Sequence, residues 1–202
     1  MFQIRIHGRG GQGVVAAAEI LSMAAFDEGR FAQAFPSFGS ERMGAPVVSY
    51  CRIDDRPIRT HEPITEPDAL IVQDATLVHQ VDLFSGLSSE TYVLVNTSKN
   101  FEGLGLSEFA SGFRHERLLT CPATALALEH LGRPLPNAAL LGGFAALTGR
   151  VSLDALEKAV GERFPGSVGT ANAAAARAAY EYVVDEVRIE RDREVEARAA
   201  AD

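Results

Sequence analysis

The sequence predicts an α/β protein with a Rossmann-like, mainly parallel sheet, helices on both faces and a helical C-terminal part. Three observations carry this. Short apolar strand patterns alternate with helical patterns over residues 2–131, an arrangement that parallel sheets require. A glycine-dense turn, Gly8-Arg9-Gly10-Gly11-Gln12-Gly13, sits directly between the first strand and the first helix. After Gly132 the strand patterns stop and only helical periodicity remains.

Residues 2–7 alternate as a strand, and residues 12–28 read as a helix with Val15, Ala18, Leu21, Ala24 and Ala25 on one face. Residues 33–46 carry no period and read as an irregular loop. Residues 46–53 are a strand, and Asp54-Asp55-Arg56-Pro57 is a turn that opens a hairpin. Residues 69–73 form a buried strand, 76–84 a short helix, 91–95 a second buried strand and 117–120 a weaker one. Helices follow at 123–131, 137–147 and 152–164, the last capped by Ser152. Gly169-Thr170-Ala171-Asn172 precedes a final helix in which Ala175, Ala179, Tyr182, Val183 and Val187 recur at helical spacing. Residues 1–187 thus form one domain. Residues 188–202, charged all round from Arg188 to Arg198, form a solvated tail.

Composition narrows the classes of function. At 202 residues the chain can bury about 70% of its unfolded surface, so a core needs neither disulfide nor metal. The net charge of −8 argues against a nucleic-acid partner. No apolar run reaches the ~20 residues of a membrane span, and Met1-Phe2-Gln3-Ile4-Arg5 begins a strand rather than a signal peptide; a cytoplasmic location is expected. Cys51 and Cys121 are too few to hold an iron–sulfur cluster, and the five histidines lack zinc spacing. Cys51, within a strand pattern, reads as a buried structural thiol. No set of residues forms a recognisable catalytic constellation, so no catalytic residue is assigned.

Gly8, Gly10 and Gly13 satisfy the spacing of the dinucleotide fingerprint, in which a turn brings backbone N–H groups and a helix end to an anionic group. The same spacing also serves as a tight connection. What makes it specific is the following segment, Gln33-Ala34-Phe35-Pro36-Ser37-Phe38-Gly39-Ser40-Glu41-Arg42-Met43-Gly44-Ala45-Pro46-Val47-Val48. Where a nicotinamide-binding domain carries an acid for the ribose, this chain has a loop. The two segments together resemble the gamma subunit, or gamma domain, of the 2-oxoacid:ferredoxin (acceptor) oxidoreductases, the pyruvate and ketoisovalerate oxidoreductase family. The resemblance continues through Arg52-Ile53, Pro57-Ile58, Val95-Asn96-Thr97, Pro136-Asn137, Gly142 and Asn172, and covers residues 2 to about 185.

The resemblance implies a complex that oxidatively decarboxylates a 2-oxoacid to its acyl-coenzyme A. Thiamine diphosphate with Mg lies between alpha- and beta-type subunits, and [4Fe–4S] clusters of a delta-type, ferredoxin-like subunit accept the electrons. Ferredoxin or another acceptor takes them onward. The gamma chain then docks subunits and helps form the channel through which coenzyme A enters; it binds no cofactor alone.

Candidate contacts for such a ligand are Gly8, Arg9, Gly10, Gly11, Gln12 and Gly13 in the turn, Ser37, Ser40, Glu41 and Arg42 in the loop, and Asn96 at a strand end. Each has an alternative. Arg9 can be solvated, Gln12 can cap the turn, Glu41 and Arg42 can pair, and Asn96 can make a side-chain turn. Gly39 and Gly44 supply backbone freedom, and His7 reads as a packed, hydrogen-bonded histidine. Phe35 and Phe38 are the expected apolar anchors of an interface over residues 35–46. One reading from a different class stays open, a stand-alone Rossmann-like nucleotide-binding redox protein that uses the 8–13 turn for its own cofactor.

Overall fold

The computed structural model of the chain describes residues 1–37 and 43–199. The elements run in the order β1 (Phe2–Arg9), α1 (Val14–Asp27), β2 (Phe31–Pro36), β3 (Pro46–Asp54), β4 (Ala69–Val72), a 3-10 turn (Ala75–His79), β5 (Tyr92–Asn96) and α2 (Ser107–Ala110). A second 3-10 turn (His115–Arg117), β6 (Leu118–Cys121), α3 (Ala123–Leu131), α4 (Asn137–Thr148), α5 (Leu153–Arg163) and α6 (Ser167–Ala199) complete the chain. Six strands form one sheet in the order β2-β3-β1-β4-β5-β6.

The sheet is mixed. β1, β4, β5 and β6 pair in parallel, whereas β3 is antiparallel to both β1 and β2. Five strands therefore share a direction and β3 alone opposes them. β3 also takes the place beside β1 that the second strand of a dinucleotide-binding fold would hold. The first crossover thus leads to the sheet edge, and the strand beside the end of β1 begins there, Pro46 opposite Arg9, instead of ending where a ribose acid would be needed.

Period-2 alternation divides the sheet into two unlike faces. Ile4 and Ile6 of β1, Cys51 and Ile53 of β3, Ile71 of β4 and Leu94 of β5 point into one core with α1, α4, α5 and α6. α4 is the middle of that layer: Ala138, Ala139, Leu140, Leu141, Phe144 and Ala145 are all buried, as befits a helix apolar on every side. Gly142 lets α6 come close, because a Cβ there would lie 1.8 Å from the Ala176 carbonyl oxygen.

The second face carries only short helical segments. Leu70, Val72, Val93, Val95 and Leu118 pack against the 75–79 turn and against Phe84, Phe101, Phe109 and other side chains of the loops around α2. Further along this face, Arg5, His7, Tyr50 and Arg52 are buried. Arg5 donates from Nη2 to the Leu83 and Ser85 carbonyls at 2.7 and 2.8 Å and from Nη1 to the Thr65 carbonyl at 3.4 Å. Arg52 donates to the Glu62 carbonyl at 2.5 Å and its guanidinium lies over the Phe35 ring. Neither arginine makes an ion pair within 4 Å among the described residues; both hold irregular chain by its carbonyls, and burial pushes both guanidinium pKa values down.

Several expected boundaries shift. Residues 31–36 are the edge strand β2 rather than loop, so Gln33 to Pro36 lie in the sheet, and Asp54-Asp55-Arg56-Pro57 leads into an irregular run to Asp68 instead of a hairpin. The expected 76–84 helix is the single turn at 75–79. Gly169 to Asn172 fall inside α6, and the charged segment continues that helix to Ala199. Phe38, Gly39, Ser40, Glu41 and Arg42 lie outside the described residues.

Candidate functional site: the glycine turn and the cleft beside it

β1 leaves the sheet at Arg9, and the chain reverses through Gly11 (φ 95) and Gly13 (φ 74) before α1 begins at Val14. Both conformations are left-handed, a region in which a side chain is strained. The Gly10 N–H donates to the Ala45 carbonyl at 2.9 Å and the Gly44 N–H to the Gly10 carbonyl at 3.0 Å, so the turn is stitched to the segment before β3. Gly8, just before the turn, packs where a Cβ would lie 2.6 Å from Val14 Cγ2.

One side of the turn is closed by an internal network. Arg9 donates from Nε to Asp74 Oδ2 at 3.0 Å, from Nη2 to Thr76 Oγ1 and Gln80 Oε1 at 2.7 Å each, and from Nη1 to the Gly44 carbonyl at 3.1 Å. Gln12 accepts from the Arg9 N–H at 2.8 Å and donates to Asp74 Oδ2 at 2.9 Å. Burial pushes the Asp74 carboxyl upward, yet hydrogen bonds from Thr76 and Gln12 and the neighbouring Arg9 hold it below its ordinary value. Arg9 and Gln12 are therefore committed to partners within the chain. The 74–80 partners lie 62 to 71 residues away in sequence, beyond the reach of any local pattern.

The other candidates are dispersed. Asn96 Nδ2 donates to the Gln73 carbonyl and to Thr124 Oγ1, each at 2.8 Å, and its Oδ1 accepts from the Thr124 N–H at 3.1 Å. It ties the end of β5 to β4 and to the start of α3. The Ser37 N–H extends the β2–β3 ladder to the Val48 carbonyl. Phe35 stacks on Tyr50 with ring centroids 5.1 Å apart, so this anchor is engaged within the chain, whereas Met43 beside the turn is 88% exposed. Ser40, Glu41 and Arg42 lie outside the described residues.

His7 is buried, but its Nε2 has no hydrogen-bond partner among the described residues, which corrects the expected hydrogen-bonded histidine. Burial, with a smaller contribution from Arg5, lowers its pKa to about 4. Both cysteines are buried thiols pushed up to about 12 by that burial. The described residues contain no group of three or more side chains placed to hold a metal ion, and none of their helices is long and apolar enough to cross a membrane.

On its other side the turn opens into a cleft of about 530 Å³. Gly13 rests on Asn137, whose Nδ2 lies 2.5 Å from where a Cβ of residue 13 would be. Arg133 and Arg163 stand on the rim, Leu131, Leu135 and Phe164 form apolar wall, and Asn137 and Asn172 supply buried polar groups. Arg133 and Arg163 carry no motif that points to this place. Pro136-Asn137 and Asn172 are marked in the sequence by the family resemblance alone.

The fold recurs in known proteins, and the sequence matches relatives along most of its length. Residues 3–182 match the family model described as pyruvate ferredoxin/flavodoxin oxidoreductase. Pyruvate synthase subunit PorC of Methanothermobacter marburgensis is 50% identical over 181 residues, covering 90% of this chain and 97% of the relative. The pyruvate/ketoisovalerate oxidoreductases common subunit gamma of Pyrococcus furiosus is 48% identical, covering 90% and 96%. The crystal structure of pyruvate oxidoreductase subunit PORC from Thermotoga maritima superposes with a TM-score of 0.73 at 37% identity, covering 89% of this chain and 95% of that one. The chain belongs to the pyruvate ferredoxin/flavodoxin oxidoreductase family, as the gamma subunit of a multi-subunit 2-oxoacid:ferredoxin oxidoreductase.

Proposed function

We propose that this chain organises a thiamine diphosphate- and iron–sulfur-dependent complex that converts a 2-oxoacid, with pyruvate first among the candidates, to its acyl-coenzyme A. The observation that carries the reading is the glycine turn, rigidly stitched to the 43–46 segment and presenting Met43 to solvent beside it. A turn braced by hydrogen bonds from its own chain is suited to hold a surface in register against other subunits. Alpha-, beta- and delta-type subunits are the partners this reading calls for, with ferredoxin or a similar carrier as acceptor. Thiamine diphosphate with Mg, when bound between the other subunits, supplies the means of decarboxylating the 2-oxoacid, and [4Fe–4S] clusters take the electrons.

This chain's residues then shape the coenzyme A channel. Engagement of Arg9 and Asn96 inside the fold makes them positioning groups: Arg9 fixes the turn, Asn96 the strand ends, and the turn amides of Gly11 and Gly13, unlike that of Gln12, which donates to the Arg9 carbonyl, supply donors. Assembly of the complex with and without this chain tests the proposal. Turnover of a 2-oxoacid panel with an artificial acceptor should require the other subunits, and the chain alone with thiamine diphosphate should be inert. Coenzyme A-dependent turnover should collapse when the chain is omitted. Full coenzyme A-dependent activity without it, or turnover by it alone, would overturn the reading.

A further inference from the structure

The sheet ends at β6, whose outer side pairs with no strand among the described residues. The Thr97 N–H donates to the Cys121 carbonyl at 3.0 Å, so Cys121 turns its backbone groups towards β5. Backbone groups alternate in direction along a strand, and Thr120 therefore turns its N–H and carbonyl outward, with the Leu118 carbonyl beside them. None of these three groups has a hydrogen-bond partner among the described residues, whereas the Leu118 N–H is held by the His115 carbonyl. Pro122, which has no N–H, closes the open stretch.

A free strand edge is a template for another strand. This one lies on the floor of a groove of about 640 Å³, because the layers on both faces of the sheet overhang it. Phe101 and Ala110 stand on the loop-covered side, and Glu186, Glu190 and Arg193 of α6 on the other. Three carboxylates line the groove against one arginine, counting Glu102 on the loop-covered side. Arg193 is ion-paired with Glu190, while Glu186 and Glu102 have no ion pair among the described residues. The α6 wall lies beyond residue 182, where the match to the family ends.

We infer that this groove takes an extended segment of another polypeptide, added to β6 as a strand with lysines or arginines turned to α6 and apolar side chains turned to Phe101 and Ala110. Main-chain bonds at Thr120 and Leu118 supply affinity and register, and alternate side chains supply choice. The period of two along a strand is what presents basic and apolar residues to opposite walls. A second copy of this chain is a poor occupant, because pairing β6 with β6 brings two acidic grooves together on chains of net charge −8. The inference needs none of the subunits proposed above, and the chain alone tests it.

Amide NMR of the full chain at low ionic strength, titrated with acetyl-Lys-Val-Lys-Val-Lys-amide, is the experiment. Shifts should gather at residues 118–121 and 186–193, and hydrogen exchange of the Thr120 amide should slow at least about tenfold at saturation, as a newly paired N–H requires. In an antiparallel pairing a valine exchanges both bonds with Thr120; in a parallel one the lysines on either side do. N-methylation of the valines should therefore abolish antiparallel binding, and N-methylation of the lysines parallel binding. The glutamate counterpart acetyl-Glu-Val-Glu-Val-Glu-amide should bind at least about tenfold more weakly, and Glu186→Lys should weaken the lysine peptide to a similar degree. The peptide comparisons leave the chain unchanged, so they stand even where a variant misfolds. No binding, equal affinity for the two peptides, or binding that survives both N-methylations would overturn the inference. Slow exchange of Thr120 before any peptide is added would overturn it too, and acceleration on dilution would then assign the edge to a second copy.

Discussion

The two faces of the sheet are covered by different physics. On one, Phe144 and its neighbours in α4, α1 and α6 bury continuous apolar surface, with stability that grows with area and lacks direction. On the other, two buried arginines hold loops by their carbonyls, and each bond depends on geometry. The helical face should therefore tolerate similar-volume exchange but not deletion, whereas the loop-covered face should respond to single polar atoms and to pH.

The largest effect belongs to the helical face. Phe144 is 1% exposed at the centre of α4, and Phe144→Ala should cost about 3–5 kcal/mol through lost transfer energy and the cavity left behind. Urea unfolding of the full chain measures it, and Phe144→Leu should recover most of the loss. A deletion cost below about 1 kcal/mol would mean that the α4 layer is not the principal core.

Next comes the acid response of the other face. His7 has a folded pKa lowered to about 4 from an ordinary 6.5, so the fold favours the neutral ring. A base with a depressed folded pKa contributes stability at neutral pH that is lost as pH falls from about 6.5 towards 4, because the unfolded chain takes up the proton first. Across that window the loss should be on the order of 3 kcal/mol, since a pKa difference of one pH unit between folded and unfolded chain is worth about 1.4 kcal/mol. His7→Gln should flatten this part of the stability–pH curve. An unchanged slope in that variant would assign the acid response to other groups.

Arg5→Met sharpens the same contrast. It keeps much of the buried stem but removes the donors to Leu83, Ser85 and Thr65, at an expected cost of about 1–3 kcal/mol. Hydrogen exchange should rise around residues 62–66 and 83–87 and stay unchanged in α4. Equal loosening of both faces would show that they unfold as one unit.

What the sequence makes legible divides by how far apart the partners lie. β1, α3 and the Ser152 start of α5 follow from local alternation, helical period and a capping residue, and they lie where expected. β2 is hidden because Phe-Ala-Gln-Ala-Phe-Pro lacks strong alternation and gains its structure from pairing with β3, Phe31 opposite Asp54 and Pro36 opposite Ser49. The early start of α6 is hidden by Gly169, whose missing side chain lets the helix pass the Phe164 carbonyl. The same logic holds at the site. The glycine turn is visible because its residues are consecutive, while the Arg9–Asp74–Gln80 network and the cleft with Arg133 and Arg163 exist only after distant segments meet.

The smallest predicted effect asks whether the helical face contains any geometry-dependent contribution of its own. Ser152 caps α5, its Oγ accepting from the Ala155 N–H at 3.2 Å, and its own N–H donates to Glu28 Oε1 at 2.7 Å. Ser152→Ala removes the first bond and leaves the second, because the backbone N–H remains. The expected cost is about 1 kcal/mol, typical of losing a cap. Glu28→Gln should cost less still, since the contact is exposed and an amide oxygen can accept in place of the carboxylate. Thermal unfolding of the two variants and their double mutant checks this. Additive losses would make the cap a local contribution laid over the apolar core, whereas coupling above about 0.5 kcal/mol would mean that Glu28 and the cap form one directional clamp and that the helical face shares the logic of the other.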